Sequence, residues 1–328
     1  MRSISFIGSD KNAGKTTVFN FVCSQLSKTL LPPKILVATS IGINGELLDN
    51  YEYAPKPNIH LPGGSYFLTA APNLKNLTGT YEIIQIFTPP RFKKNFILGR
   101  CLIDLTLVLE GPNEKSELLE VKKFLEVHHP QGYLLIDGSI DRQFVAHPEI
   151  SDSFYFALLQ SDRQEQLKKS QDLLLPLGIP VIEEDDKKLL AAHLGPEIKS
   201  LLFDLEKKEL RHRSGQIPFL DRDLLAKCLK QKNSPTLLYL GGALTKSLYT
   251  FLAPFKGFRT VLHNFTLFQN ISVYKSGQSK FNPKLFLLNP VVVERIFLNI
   301  QSPQALLPIP SGIKVHNLYR EDPDEIRI

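Results

Sequence analysis

The sequence predicts an α/β protein built on a doubly wound, mostly parallel sheet, with a smaller α/β region towards the C-terminus. Three observations predict it. Short apolar runs alternate with stretches of helical periodicity along most of the chain, the pattern of strand and crossover helix. The first run, Ile4-Ser5-Phe6-Ile7, passes through a glycine-bearing turn straight into an amphipathic helix. A later run, Tyr133-Leu134-Leu135-Ile136, is bulky at every position, as a strand covered on both faces must be, and ends in Asp137-Gly138.

The first strand and helix enclose Gly8-Ser9-Asp10-Lys11-Asn12-Ala13-Gly14-Lys15-Thr16-Thr17. Strand, turn, Gly-Lys-Thr and helix stand in the order of a phosphate-cradling P-loop, the mark of a P-loop NTPase. Through Gly8, Asn12, Ala13 and Gly14 the backbone N–H groups can turn inward, and with the positive end of the helix they face phosphate oxygens. Lys15 would extend its ammonium to the β and γ phosphates. The Thr16 hydroxyl would ligate magnesium, a hard cation that takes oxygen donors and keeps several waters. Thr17 is a candidate for the α-phosphate. Beyond the loop, Val18, Phe19, Val22, Leu26 and Leu30 recur at helical spacing and read as the face that packs on the sheet.

Residues 34–39 read as the second strand, ending in Thr39-Ser40-Ile41-Gly42 on the carboxyl edge where open α/β sheets bind ligands. The Pro- and Gly-rich residues 51–65 read as a surface loop in which Lys56 could reach a phosphate or substrate. Ordered structure resumes at 66–71. Residues 81–88 read as a strand bounded by Pro89-Pro90, and 98–109 as one or two strands ending in Glu110-Gly111-Pro112-Asn113. A helix over 114–127 leads to the Asp137 strand. There the carboxylate suits the acid that a P-loop site needs near its magnesium, the Walker B role. Asp141 and Arg142 follow in the same connection.

A strand at 154–159, a polar helix at 163–175 and a strand at 179–183 complete a mononucleotide-binding sheet by about residue 184. Charged, helix-like sequence over 185–213 marks the boundary between a nucleotide-binding domain, 1–205, and a smaller α/β domain or sheet extension, 206–328. That second region has apolar runs at 237–240, 260–263 and 284–288, and a Gly241-Gly242 turn before a helix over 245–255. The tail, 321–328, is charged and expected to fray.

With 328 residues, 43% hydrophobic and 22% charged, the chain can bury a sizeable core. No run approaches the roughly 20 apolar residues that span a bilayer. The N-terminus enters a strand instead of a signal-peptide core, so the expectation is the cytoplasm and no membrane. Cys23, Cys101 and Cys228 are odd in number and unpaired in spacing, which argues against disulfide or zinc. The net charge of +6 is scattered, without the basic stripe and exposed aromatics of a nucleic-acid binder. Arg91-Phe92-Lys93-Lys94 and Arg211-His212-Arg213 read as solvated surface, and His128-His129 as a helix end.

The loop departs from the common pattern at one place, where Ser9 stands for a Gly that lies one residue earlier, at Gly8. In this form it resembles the loop of dethiobiotin synthetases and their SIMIBI-class relatives. The resemblance implies that Asp10 lies near the metal and γ-phosphate, making Lys15, Asp10 and Asp137 the catalytic candidates, with Thr16 and Asp137 on the metal. It does not extend to substrate, because Thr39 and Ser40 occupy the place of the synthetases' substrate lysine. Lys11 does not sit where partitioning ATPases carry their signature lysine. More widely, Thr39-Ser40-Ile41-Gly42, Pro55-Lys56-Pro57, Glu110-Gly111-Pro112 and Leu135-Ile136-Asp137-Gly138 with Arg142 resemble bacterial P-loop proteins associated with cobalamin-dependent aminomutases, such as reactivating factors of lysine 5,6-aminomutase. That likeness implies an ATP-dependent accessory protein acting on a partner enzyme. Two classes are left open: an ATPase serving as a switch on a partner, and an ATP-dependent ligase or kinase that activates a small-molecule carboxyl. The expected ligands are Mg2+ and ATP, adenine being favoured by the absence of an Asn-Lys-x-Asp guanine signature; a homodimer is left open.

Overall fold

The computed structural model describes residues 1–44, 58–138, 148–195, 197–216, 218, 220–230, 235–267, 284–322 and 325–326. In chain order the elements are β1 (Arg2–Gly8), α1 (Lys15–Thr29), β2 (Ile35–Ser40), β3 (Gly42–Asn44), β4 (Ile59–Leu61), β5 (Tyr66–Ala70), β6 (Tyr81–Phe87), β7 (Phe96–Cys101), β8 (Leu105–Leu107), β9 (Leu109–Gly111), α2 (Lys115–His128), β10 (Gly132–Asp137), β11 (Ser153–Gln160) and α3 (Gln164–Leu174). They continue with α4 (Glu184–Ala191), β12 (Ser200–Asp204), β13 (Glu209–Ser214), α5 (Arg222–Lys230), β14 (Thr236–Leu240), α6 (Lys246–Leu252), β15 (Phe258–Leu262), β16 (Lys284–Leu287), β17 (Val293–Ile300) and β18 (Val315–His316).

The chain is α/β and divides into two compact units, Met1–Gln171 with Val292–Ile328, and Asp172–Val291. Among the described residues the first unit carries a nine-stranded sheet in the order β18-β17-β11-β1-β10-β2-β5-β7-β6. Pairing is parallel from β18 to β5 and antiparallel at β5–β7 and β7–β6. Strand alternation sorts the side chains. Ile4, Phe6, Ala38, Phe67 and Leu135 meet the apolar stripe of α1 (Val18, Phe19, Val22, Cys23, Leu26) on one face. Val37, Leu68, Leu134 and Ile136 meet Leu118, Val121 and Leu125 of α2 on the other. Each such fully buried side chain contributes about 2 kcal/mol to folding.

The second unit has a five-stranded sheet in the order β13-β12-β14-β15-β16, with β14, β15 and β16 parallel and β12 and β13 antiparallel. Its core joins Leu201, Phe203, Leu237, Tyr239 and Val261 to Leu190 of α4.

Several expectations are corrected here. The boundary expected at 205/206 falls inside the β12–β13 hairpin, and the chain returns to the first sheet after Val291, so only β17 and β18 are the extension foreseen. Residues 185–213, read as helix-like, hold most of α4 but then the buried strand β12 and most of β13, an edge strand bearing Glu209, Arg211 and Arg213, as edges commonly bear charge. Residues 179–183 supply a single bridge, Val181 to Leu287, within the second unit, so the first sheet is completed by β17 and not by this segment. The run over 98–109 belongs to three strands, β7, β8 and β9. Arg211 and His212 are not solvated: Arg211 pairs with the buried Asp204, and His212 Nε2 lies 3.1 Å from Ser200 Oγ. Nor is the tail simply frayed, since Ile326 is buried and Glu321 Oε1 accepts the Asn317 N–H at 2.7 Å. The candidates Lys56, Asp141 and Arg142 lie outside the described residues. Among the described residues, no helix is long and apolar enough to cross a membrane.

Candidate functional site

The turn between β1 and α1 is held in an unusual backbone shape. Asn12 has φ 60° and Gly14 φ 89°, both left-handed, within three residues. Asn tolerates that region better than most residues, and Gly adopts it without penalty. Gly14 is also the N-cap of α1, where no side chain caps the helix and the first turn carries no acid. The partial positive charge of this helix end is therefore left uncancelled by acids of its own first turn.

Ser9, the residue that departs from the common loop pattern, has a structural reason for being there. It is buried, its hydroxyl accepts the Leu159 N–H at 3.0 Å, and it lies 2.7 Å from Ser170 Oγ of α3. Ser170 Oγ also lies 2.7 Å from the Leu159 carbonyl. A glycine at position 9 would cut these ties between the turn, β11 and α3. On the far side of the turn, Asn299 Nδ2 of β17 donates to the Asn12 carbonyl at 2.8 Å.

Across from the turn stands the end of β10. Strand period puts Tyr133, Leu135 and Asp137 on the face that α1 covers. Lys15, the first residue of α1, pairs with Asp137 Oδ1. Asp137 is 1% exposed, and its other oxygen, Oδ2, is buried without a hydrogen-bond partner. Burial pushes the Asp137 carboxyl above the usual carboxylate range, and the Lys15 ammonium opposes that shift. The thiol of buried Cys23 is pushed up by burial first and by the Asp137 charge second, which leaves it inert.

Of the predicted residues, Gly8, Asn12, Ala13, Gly14, Lys15, Thr16 and Thr17 thus form one turn and helix start, and Asp137 meets them through Lys15. Asp10 is engaged elsewhere: its Oδ1 accepts from the Lys11 N–H at 2.9 Å and from Lys169 Nζ of α3 at 2.9 Å. Thr16 and Thr17 are half-buried in the first turn of α1. Magnesium fits this donor set, because it needs only one or two protein oxygens besides phosphate and water. Asp137 Oδ2 is an oxygen still owed a partner, and the Thr16 hydroxyl lies next to Lys15 in the chain. Among the described residues no group of three His, Cys, Asp or Glu could hold a metal by itself.

Sequence reasoning missed a second polar group on the same sheet edge. Glu110, the buried middle residue of β9, pairs through Oε1 with Lys94 and accepts from Asn73 Nδ2 at 3.0 Å, while its N–H donates to Thr69 Oγ1 at 2.9 Å. Thr39 and Ser40 are buried on the same edge: Thr39 donates to the Leu68 carbonyl at 3.2 Å, and Ser40 Oγ to the Leu109 carbonyl at 2.8 Å. Lys169, Ser170, Asn299 and the Glu110 group are separated from their partners by 11 to 287 residues, and no local pattern announces such contacts.

Comparison of the chain with protein families, with curated proteins and with solved structures found no match.

Proposed function

We propose that the chain is a doubly wound P-loop NTPase of the cytoplasm that binds Mg-ATP and acts as a nucleotide-driven switch or accessory factor on a partner protein. The observation that carries the reading is the pairing of Lys15, on an uncapped helix N-terminus, with a buried carboxylate whose second oxygen has no partner. An ammonium and a carboxylate that neutralise each other in the free chain are the two groups a magnesium triphosphate would need, one for each sign of charge.

Binding would exchange partners. Lys15 would leave Asp137 for the β and γ phosphates, and the turn's N–H groups with the positive end of α1 would take the remaining charge. Asp137 and Thr16 would hold the magnesium, which supplies charge neutralisation at the phosphates when bound. Asp137 lies next to Ser40 in register, and Ile41 N–H donates to its backbone carbonyl at 2.9 Å, so the residue that bears the carboxylate is tied to the end of β2. That link supports a switch, in which γ-phosphate contacts are read by the strand ends. The engagement of Thr39 and Ser40 with backbone carbonyls supports it too, since neither hydroxyl is held out for a substrate.

One observation favours a second reading. The Glu110, Lys94 and Asn73 group stands on the same carboxyl edge and could orient an acceptor, which would make the chain an ATP-dependent ligase or kinase for a small-molecule carboxyl. Phosphate release from Mg-ATP separates the two. The switch reading expects slow release without any added metabolite, lost in Asp137→Asn; strict dependence on a small acceptor supports the ligase or kinase, and release undiminished in Asp137→Asn refutes the site.

A further inference from the structure

The turn that follows β18 lies directly against the β1–α1 turn. A Cβ built on Gly14 would stand 2.9 Å from Tyr319 Oη and 3.5 Å from Tyr319 Cε2, so the phenol ring passes over the residue just before Lys15. Yet Tyr319 is 57% exposed. Its backbone is anchored on three sides. Leu318 packs into the α1-side core, Tyr319 N–H donates to Asn317 Oδ1 at 3.0 Å, and Glu321 holds both the Asn317 N–H at 2.7 Å and His316 Nδ1 at 3.0 Å. His316 Nε2 in turn lies 2.8 Å from Arg295 Nη1 of β17.

A single exposed tyrosine is ordinary. Its place sets this one apart: it lies over Gly14, the N-cap of α1, in a segment held by Asn317 and Glu321. An aromatic ring that is exposed on one side and lies over the turn on the other suits the other end of a nucleotide whose phosphates that turn would hold.

Resting on the nucleotide reading above, we propose that Tyr319 is the platform for the nucleobase and ribose of the bound nucleotide. The C-terminal segment is then part of the site, joined to it by Asn299 on the Asn12 carbonyl and by Tyr319 over Gly14. An aromatic platform is tolerant of base identity because every base has a π face.

The experiment is calorimetric titration of the full chain and of its Tyr319→Ala and Tyr319→Phe variants with Mg-ATP and with magnesium tripolyphosphate, which has neither base nor ribose. Tyr319→Ala is expected to weaken Mg-ATP about tenfold, the scale of one lost base–aromatic stack, and to leave tripolyphosphate unchanged. Tyr319→Phe, which keeps the ring, is expected to bind Mg-ATP nearly as the wild type does. The platform is overturned if Tyr319→Ala binds Mg-ATP normally, or if it weakens both ligands equally, which would make Tyr319 a support for the turn. A wild type that binds neither ligand overturns the nucleotide reading itself, and the platform with it.

Discussion

At the scale of single residues, the site turns on a buried carboxylate and the ammonium that faces it. Asp137 sits at the end of an apolar strand in the sequence, and its side of the sheet follows from strand period, so its meeting with a residue at the start of α1 was legible. Its isolation was not, because an orphaned oxygen is a property of the whole packing around it. The raised carboxyl has a consequence for stability. A folded-state pKa above the ordinary value of 3.8 means that the folded chain holds this proton to higher pH than the unfolded chain does. The contribution is therefore full below the ordinary value and is lost as pH rises through the raised one. Lys15→Ala removes the ammonium that opposes the shift, so as pH rises above the ordinary carboxylate value the variant should lose more stability than the wild type. Urea unfolding of both proteins across that rise checks it, and parallel pH profiles would contradict the coupling.

Among elements, the β1–α1 turn shows how far local pattern reaches. Order, spacing and residue type predicted the turn and the helix that follows, and Gly14 takes the left-handed conformation for which glycine is suited. The purpose of Ser9 was hidden, because its partners, Leu159 and Ser170, lie 150 and 161 residues away. Ser9→Gly restores the commoner loop sequence yet removes both contacts and adds backbone freedom, so it should cost about 1 to 2 kcal/mol. Thermal unfolding measures this, and a Ser9→Gly variant as stable as the wild type would show that the hydroxyl does not hold the turn. The strand β10 was readable as a doubly covered run, β11 as a buried strand and β2 as a strand ending on the ligand-binding edge. The β12–β13 hairpin was not, because β13 alternates Glu209, Arg211 and Arg213 with less polar residues and its place at a sheet edge explains that charge.

For the whole molecule, the least legible feature is the return of the chain. Composition alone gives no sign that Val292–Ile328 belongs with Met1–Gln171, because a strand's neighbours are chosen by packing across the sequence. Beside β11, β17 aligns Phe154 with Val293 and Gln160 with Ile300, covering a strand buried along its entire length. Truncation after Val291 should consequently do more than delete an appendage. It should uncover β11, abolish the cooperative unfolding of the first unit and take nucleotide affinity with it. Calorimetric scanning of the truncated chain reads the outcome, and a transition at the wild-type temperature would mean that the segment is dispensable. The claim on which everything functional depends is that the turn of Gly14 and Lys15 accepts a magnesium triphosphate. Isothermal titration of the intact chain with Mg-ATP tests it most directly: a heat of association in the wild type that disappears in Lys15→Ala is the expected result, and a wild type that gives no heat, or a variant that gives the same heat, would contradict it.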